Sequence, residues 1–275
     1  MISQRKTGIS HWILIAKGTF VKEILIQKRY TGWLIQSLIQ PIIFMVLFTQ
    51  MGAGFGIGVT DSGFDFTSFL ILGSVLVMLL SQMLWGSGNA LRSEQYRGTL
   101  ESTLMTPTKM SAMLTGYSFV DVVQSIYLIF MGLFLGVFVF GFQIQITDPV
   151  ALIIALGTTM YGVMGFGFMF ASVTLLMKQS GPLINIMQPI LYILCGIFFP
   201  LTALPPAVQA FSMLIPLTQG FLAVQNVLLV GAGLNTIIPL ILGALTGGTI
   251  LALFGIVMLR RTIEHARRRG IIGAF

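Results

Sequence analysis

The sequence predicts an all-α membrane protein, and three observations carry that prediction. Only 8% of its residues are charged and 56% are hydrophobic, whereas a soluble domain carries about 25% charge to meet water. Apolar runs near the ~20 residues a helix needs to cross a bilayer recur at 31–51, 66–88, 117–141, 150–177, 183–200 and 236–259. All 15 lysines and arginines fall in alternate connections between those runs. A soluble core is excluded because 275 residues cannot hide so much apolar surface from water. The 31 glycines fit too, since glycine is commoner in membrane helices than in soluble ones.

Residues 9–29, ISHWILIAKGTFVKEILIQKR, come first. Ile9, Ile13, Ala16, Phe20 and Ile24 recur at helical spacing, with His11, Lys22 and Arg29 on another side. Lys17, Lys22, Glu23, Lys28 and Arg29 interrupt the run, so it cannot span, and it lacks the clean apolar stretch of a cleaved leader. It reads as a helix lying in the membrane interface, with Trp12 at headgroup depth, in preference to a plain basic tail. The expected domain plan is a single transmembrane unit over 1–275: an interfacial helix in 1–30, a six-span core over 31–259, and a basic tail over 260–275.

Charge fixes the expected topology. Basic residues precede the first span (Arg5, Lys6, Lys17, Lys22, Lys28, Arg29), lie between the second and third (Arg92, Arg97, Lys109) and between the fourth and fifth (Lys178), and follow the last (Arg260, Arg261, Arg267, Arg268, Arg269). The other connections hold Asp61 and Asp65, then Asp148, then no charge across 201–235. The positive-inside rule therefore puts both termini in the cytoplasm of a plasma membrane. It also accounts for the basic pI of about 9.9 by contact with anionic headgroups, without nucleic acid. Prolines at 200, 205, 206 and 216 break the apolar stretch 201–233 into short re-entrant or interfacial helices on the outer side.

The spans are poor in chemistry. Asp121 is expected near the cytoplasmic end of the third span and Lys178 at the inner end of the fourth, leaving no carboxylate near mid-membrane. That argues against an ion-coupled carrier or channel, the alternative class, which needs a proton or sodium relay. No HExxH or Ser/His pairing supports an enzyme. Cys195 is the lone cysteine, and His11 and His265 are far apart, so no metal site is expected. GAGFGIG, Gly52 to Gly58, follows a span and lies outside, so it reads as an external loop and not a phosphate loop. With no GxxxxGK[ST] anywhere, no ATP-binding loop of that type is expected. Gln36, Ser37 and Gln40 beside Pro41, and Asn185 and Gln188 beside Pro189, are the polar span residues of interest. They serve either as interhelical hydrogen bonds or as the lining of a substrate path, and both readings stand.

One segment concentrates charge: RSEQYRGTLESTLMTPTKM, Arg92 to Met110. Glu94, Arg97, Gly98 and Glu101 fall at i, i+3, i+4 and i+7, one face of a helix on which Arg97 and Glu101 can pair. Tyr96, Leu100, Thr103 and Leu104 fall on another face. Pro107 disfavours helix at Thr106 and ends the element. Gly98 strips bulk from the charged face, where another backbone could approach. A short two-faced helix and a solvated loop with one ion pair both satisfy this spacing.

This stretch resembles the hallmark of ABC-2-type transporter permeases, roughly E-x-x-x-G-T-L-E-x-L-x-x-T-P, through Glu94, Gly98, Thr99, Leu100, Glu101, Leu104, Thr106 and Pro107, with one residue of slack inside the stretch. A second stretch, GIFFPLTALPPAVQAFSMLIPLTQGFLAVQNVLLVG at 196–231, is similar to the family's FPL-x-x-LP…PLT region, with Gln225 where many members carry arginine. The resemblance implies a type V exporter subunit, with a cytoplasmic coupling helix between spans two and three. Glu94, Arg97, Gly98, Thr99, Leu100, Glu101 and Pro107 would couple it to a separate ATP-binding subunit. Two permeases, identical or different, and two ATPases would form the unit. ATP and magnesium would sit on the partner, and this chain would hold no cofactor. Gln36, Gln40, Asn185 and Gln188 would be candidates for the path. Phe199, Pro200, Leu201, Pro205 and Pro216 would belong to the outer gate. An almost charge-free interior suits a hydrophobic or amphipathic cargo such as a drug, lipid or lipid-linked glycan.

Overall fold

The computed structural model describes residues 9–29, 32–55, 66–106, 108–142, 147–177 and 180–269. All regular structure in these residues is helical. The helices are α1 (Ile9–Arg29), α2 (Gly32–Phe55), α3 (Phe66–Trp85), α4 (Ala90–Tyr96), α5 (Leu100–Met105), α6 (Met110–Phe138), α7 (Pro149–Leu176), α8 (Ser180–Leu194), α9 (Pro206–Met213), α10 (Pro216–Leu229) and α11 (Leu234–Arg269). The side chains of Gln36, Ser37, Glu101, Leu104 and His265 lie outside the described residues, as do Gly56 to Asp65, Pro107 and Lys178.

α3 is the central helix. Its apolar residues are buried nearly all round, including Phe69, Leu72, Leu76, Leu80 and Leu84, as a helix surrounded by other helices requires. α2, α6, α7 and α8 pack around it. α7 and α11 form the most extensive helix pair, with α10 against both. Their approach is close because Gly165 of α7 meets Gly248 of α11, where an added methyl would overlap the Gly248 carbonyl. Small residues let backbones come together where lipid supplies no hydrophobic drive between helices. At the other flank α1 lies on α6, burying Ala16, Thr19 and Glu23. The face packed on α6 is the small-residue one, while Ile13, Leu14, Val21 and Leu25 are exposed on α1.

Among the described residues, four helices are long and apolar enough to cross a membrane: Phe66–Tyr96, Met110–Phe138, Pro149–Leu175 and Leu234–Glu264. The expected fifth span, 183–200, is instead the 15-residue α8, which ends at Leu194. At about 1.5 Å per residue it reaches roughly 22 Å, short of a ~30 Å hydrocarbon core. The chain then turns through Gly196, whose φ of +66° favours glycine. α9 and α10 follow, bent by 96° at a short break before Pro216, in agreement with the broken helices expected there. The first four residues of GAGFGIG, expected as loop, continue α2 to Phe55. The expected basic tail begins as helix, since α11 runs on to Arg269.

α6 begins at Met110, not near 117, so Asp121 lies about 16 Å along the helix. It is buried in the protein at 7% exposure. It lies one turn from Tyr117, whose hydroxyl bonds Glu94, so it stays toward the charged-segment end of α6.

Candidate functional site

The charged stretch folds as two short helices, not one. α4 ends at Tyr96, the chain passes through Gly98 at φ +69°, and α5 starts at Leu100. No described atom of this chain would crowd a Cβ at Gly98, so within the chain its glycine serves the left-handed turn. The break takes Glu94 and residue 101 off a common helix face. Thr106 then goes extended, at φ −85° and ψ 159°, as a residue before proline should.

Arg97 does not face the next turn of its own helix. It reaches back to α1, with Nη1 3.4 Å from Glu23 Oε1 and 3.7 Å from Glu94 Oε1. Glu94, only 1% exposed, is the centre of the arrangement. Lys22 and the Tyr117 hydroxyl both donate to its Oε1. Thr99 Oγ1 donates to Oε2 at 2.5 Å, and the Thr99 amide donates to the Glu94 carbonyl at 3.0 Å. Lys22 also lies 3.5 Å from Glu23. Two carboxylates and two cations thus cancel, and burial of Glu94 is offset by donors on α1, α6 and the turn. This clamp ties α1, α4 and α6 together and leaves Tyr96, Arg97, Gly98 and Thr99 exposed as a knuckle, while Leu100 is buried.

Beside the clamp a cavity of about 480 Å³ opens between α1, α2, α3 and α6, with Glu23, Gln40, Gln82, Arg97, Asp121 and Gln124 in its wall. A second chamber of about 230 Å³ shares Gln40, Gln82, Trp85 and Leu128 with it and adds Pro41, Met78, Ser81 and Gln188. With Gln27 of α1, five glutamines from five helices therefore line one connected space. Volumes of this size suit small organic ligands, and a few polar groups among apolar ones suit orientation of a ligand. In the second chamber Gln188 Nε2 donates to Ser81 Oγ at 2.7 Å and bonds Tyr192 Oη, while Trp85 Nε1 donates to Gln188 Oε1 at 3.4 Å. In the first, Gln82 donates to Gln124. Beyond the second chamber Phe198 lies 5.3 Å from the rings of both Phe48 and Tyr192, an aromatic plug.

Of the path residues expected from sequence, Gln40 and Gln188 are in this wall. Asn185 is exposed on the outside of α8, and the Gln36 side chain lies outside the described residues. Of the gate residues, Phe199 is 51% exposed and Leu201 is buried. Pro200 and Pro205 precede a helical turn and α9, and Pro216 opens α10, buried close to Gly247. It is Phe198, not Phe199, that turns inward. Gln225, at the position where arginine was expected, donates from Nε2 to the Gly196 carbonyl at 3.0 Å and so pins the turn after α8. Sequence reasoning missed Lys22, Glu23, Tyr117, Ser81, Gln82, Gln124 and Tyr192. A signal existed for two of them: a glutamine inside an apolar run is costly unless used, and Gln82 and Gln124 are such residues.

The helical membrane architecture accords with comparisons to known proteins. The family model described as ABC-2 type transporter, ABC2_membrane, matches residues 13–229. The chain is 25% identical over 234 residues to the inner membrane transport permease YadH of Escherichia coli K12, covering 80% of this chain and 87% of that one. The YadH sequences of Escherichia coli O157:H7 and Shigella flexneri match to the same extent. A family match over most of its length, together with the helical bundle described, means that the chain belongs to the ABC-2 type transporter family of membrane permeases.

Proposed function

We propose that this chain is the transmembrane subunit of an ATP-driven exporter, moving an amphipathic cargo from the cytoplasm or inner leaflet through the glutamine-lined cavity. The observation that carries the reading is the juxtaposition of that cavity with the clamped, exposed knuckle at residues 96–99. Arg97 and Glu23 belong to both, so a force applied to the knuckle acts on the cavity wall. ATP and magnesium would be handled by a separate subunit that docks there. Tyr96, Arg97, Gly98 and Thr99 would meet it, with Glu101 and Pro107 continuing that surface. Glu94 and Leu100 would act as positioning residues. The working unit would hold two permeases and two ATPases in a plasma membrane, with both termini cytoplasmic. α1 would lie in the inner interface, where exposed Leu14, Val21 and Leu25 meet lipid and Lys17 and Lys28 meet headgroups. Pro200 to Pro216 would close the outer end.

The purified chain should hydrolyse no ATP, and inverted vesicles should accumulate an amphipathic dye with ATP only when the ATP-binding subunit is co-expressed. ATP hydrolysis by the isolated chain would sink this assignment. One observation favours a second reading, an ATP-independent carrier: Asp121 is a carboxylate inside the cavity wall, the feature an ion-coupled relay uses. Uptake driven by a pH gradient without ATP or the second subunit would decide for that reading.

A further inference from the structure

The charged groups in the wall of the larger chamber are Glu23, Arg97 and Asp121. Glu23 and Arg97 satisfy each other across 3.4 Å. Asp121 is different. Among the described residues no basic side chain forms an ion pair with it. Its Oδ2 accepts the Ser87 amide at 2.6 Å, where the chain turns out of α3. Its Oδ1 has Gln82 Nε2 at 3.5 Å, a long contact for a group able to accept several hydrogen bonds, and the Ser87 side chain lies beside the carboxylate. Gly86 makes the site possible, because a Cβ there would occupy the space of the Asp121 carboxylate.

A buried carboxylate is costly unless something compensates its charge. Around Asp121 lie the amides of Gln82 and Gln124, while Arg97 in the same wall is engaged by Glu23 and Glu94. The indole of Trp85 borders both chambers, and aromatic surface of this kind receives organic cations. The neighbouring chamber offers Met78, Leu128 and Pro41 to an apolar body. An anionic headgroup would be repelled by Asp121, and a neutral one would leave its charge uncompensated.

We propose that the cavity selects an amphipathic organic cation, a protonated amine or quaternary ammonium on an apolar body, with Asp121 as its counter-charge and Gln82 and Gln124 as flanking dipoles. The proposal rests on the reading of this cavity as the cargo path, and it names the cargo's chemistry. The bland role for Asp121, acceptor for the Ser87 amide, survives in Asp121→Asn, which keeps an oxygen at that position. The charge does not survive, so the two roles separate.

The test uses the full chain in nanodiscs without nucleotide and two fluorescent amphiphiles with one tail. One has a trimethylammonium head and the other its neutral 3,3-dimethylbutyl isostere. Each binding curve is corrected with protein-free nanodiscs. Wild type should bind the ammonium probe about tenfold tighter than the isostere, a ratio that one partly desolvated ion pair supplies. Asp121→Asn should bring the two within about twofold, with Kd for the isostere unchanged. Asp121→Asn combined with Gln124→Glu, which moves the carboxylate one turn along the same wall, should restore the preference. Absence of ammonium binding by wild type, equal binding of both probes, or a preference that persists in Asp121→Asn would each overturn the proposal. Because no ATPase is present, these outcomes are independent of whether transport is ATP-driven. A failed vesicle assay with intact ammonium preference would reject the exporter and keep the site.

Discussion

Replacing Glu94 with alanine should unlatch α4 from α1 and α6. Glu94 is 1% exposed and receives side-chain hydrogen bonds from Lys22, Thr99 and Tyr117. Removing one member of a buried ion pair costs about 3–5 kcal/mol when the partner stays buried. Lys22 and Arg97 have side chains 42% and 46% exposed, so both regain water, which lowers the cost. The Tyr117 hydroxyl is buried and loses its acceptor, for about 1–3 kcal/mol. The expected loss is therefore about 3 kcal/mol, taking the low end of the ion-pair range and including the tyrosine. Glu94→Gln keeps the acceptor oxygen and should lose only about 1–1.5 kcal/mol. Unfolding in mixed detergent–SDS micelles, followed by tryptophan fluorescence, reads these changes. In the Glu94→Ala background, Tyr117→Phe should be neutral or stabilising, because the orphaned hydroxyl is gone. Trypsin should cut faster at Arg97 once the clamp is open. A Glu94→Ala protein within about 0.5 kcal/mol of wild type, or fully additive Glu94 and Tyr117 effects, would refute the clamp.

Three further outcomes are expected. Gly165→Leu should push α7 from α11 and lower the melting temperature sharply, whereas Gly157→Leu, on the same helix with open space around it, should not. Gly98→Ala should cost about 1 kcal/mol through its left-handed backbone alone, and Gly98→Asn distinctly less, both read by the same unfolding assay. The Asp148 carboxyl is held below the usual carboxylate range by the backbone N–H groups of Ala151, Leu234 and Val150. Its contribution to stability is therefore present above the ordinary aspartate pKa of about 4 and fades as pH falls through the lower folded value. Melting of Asp148→Asn against wild type should differ at neutral pH and converge in acid; a gap that widens in acid would reverse the sign.

The regular helices were legible because their signals are local. α2, α3 and α7 begin and end within a few residues of the apolar runs that predicted them. The proline-broken outer segment was legible for the same reason: proline's missing N–H acts on its own helix. Misplaced boundaries share one cause. Met110 to Gly116 reads as connection because it follows charge and proline, yet Ala112, Met113 and Leu114 are buried and start α6 seven residues earlier. Asp121 therefore lies three turns into the helix and not in its first. On α8, hydrophobicity continues through Phe199, so composition could not reveal that the helix stops at Leu194; the stop is made by the turn that Gln225 holds from α10.

Composition and charge placement by themselves determined that this is a helical membrane protein, because burial in lipid and exclusion of charge act on every residue independently of its partners. Two contiguous motifs were enough to mark the family. Only the tertiary structure decided what the charged segment does within the chain. Spacing offered Arg97 only neighbours within its own stretch, whereas the arrival of α1 brings it Glu23, far away in sequence. Only the tertiary structure gathered Gln40, Gln82, Gln124 and Gln188 from four helices into one wall and placed Asp121 among them with no ion-pair partner among the described residues. The physical reason is the same in both cases: a hydrogen bond or ion pair belongs to two chain positions, and local sequence carries no record of which distant helix face will be its neighbour.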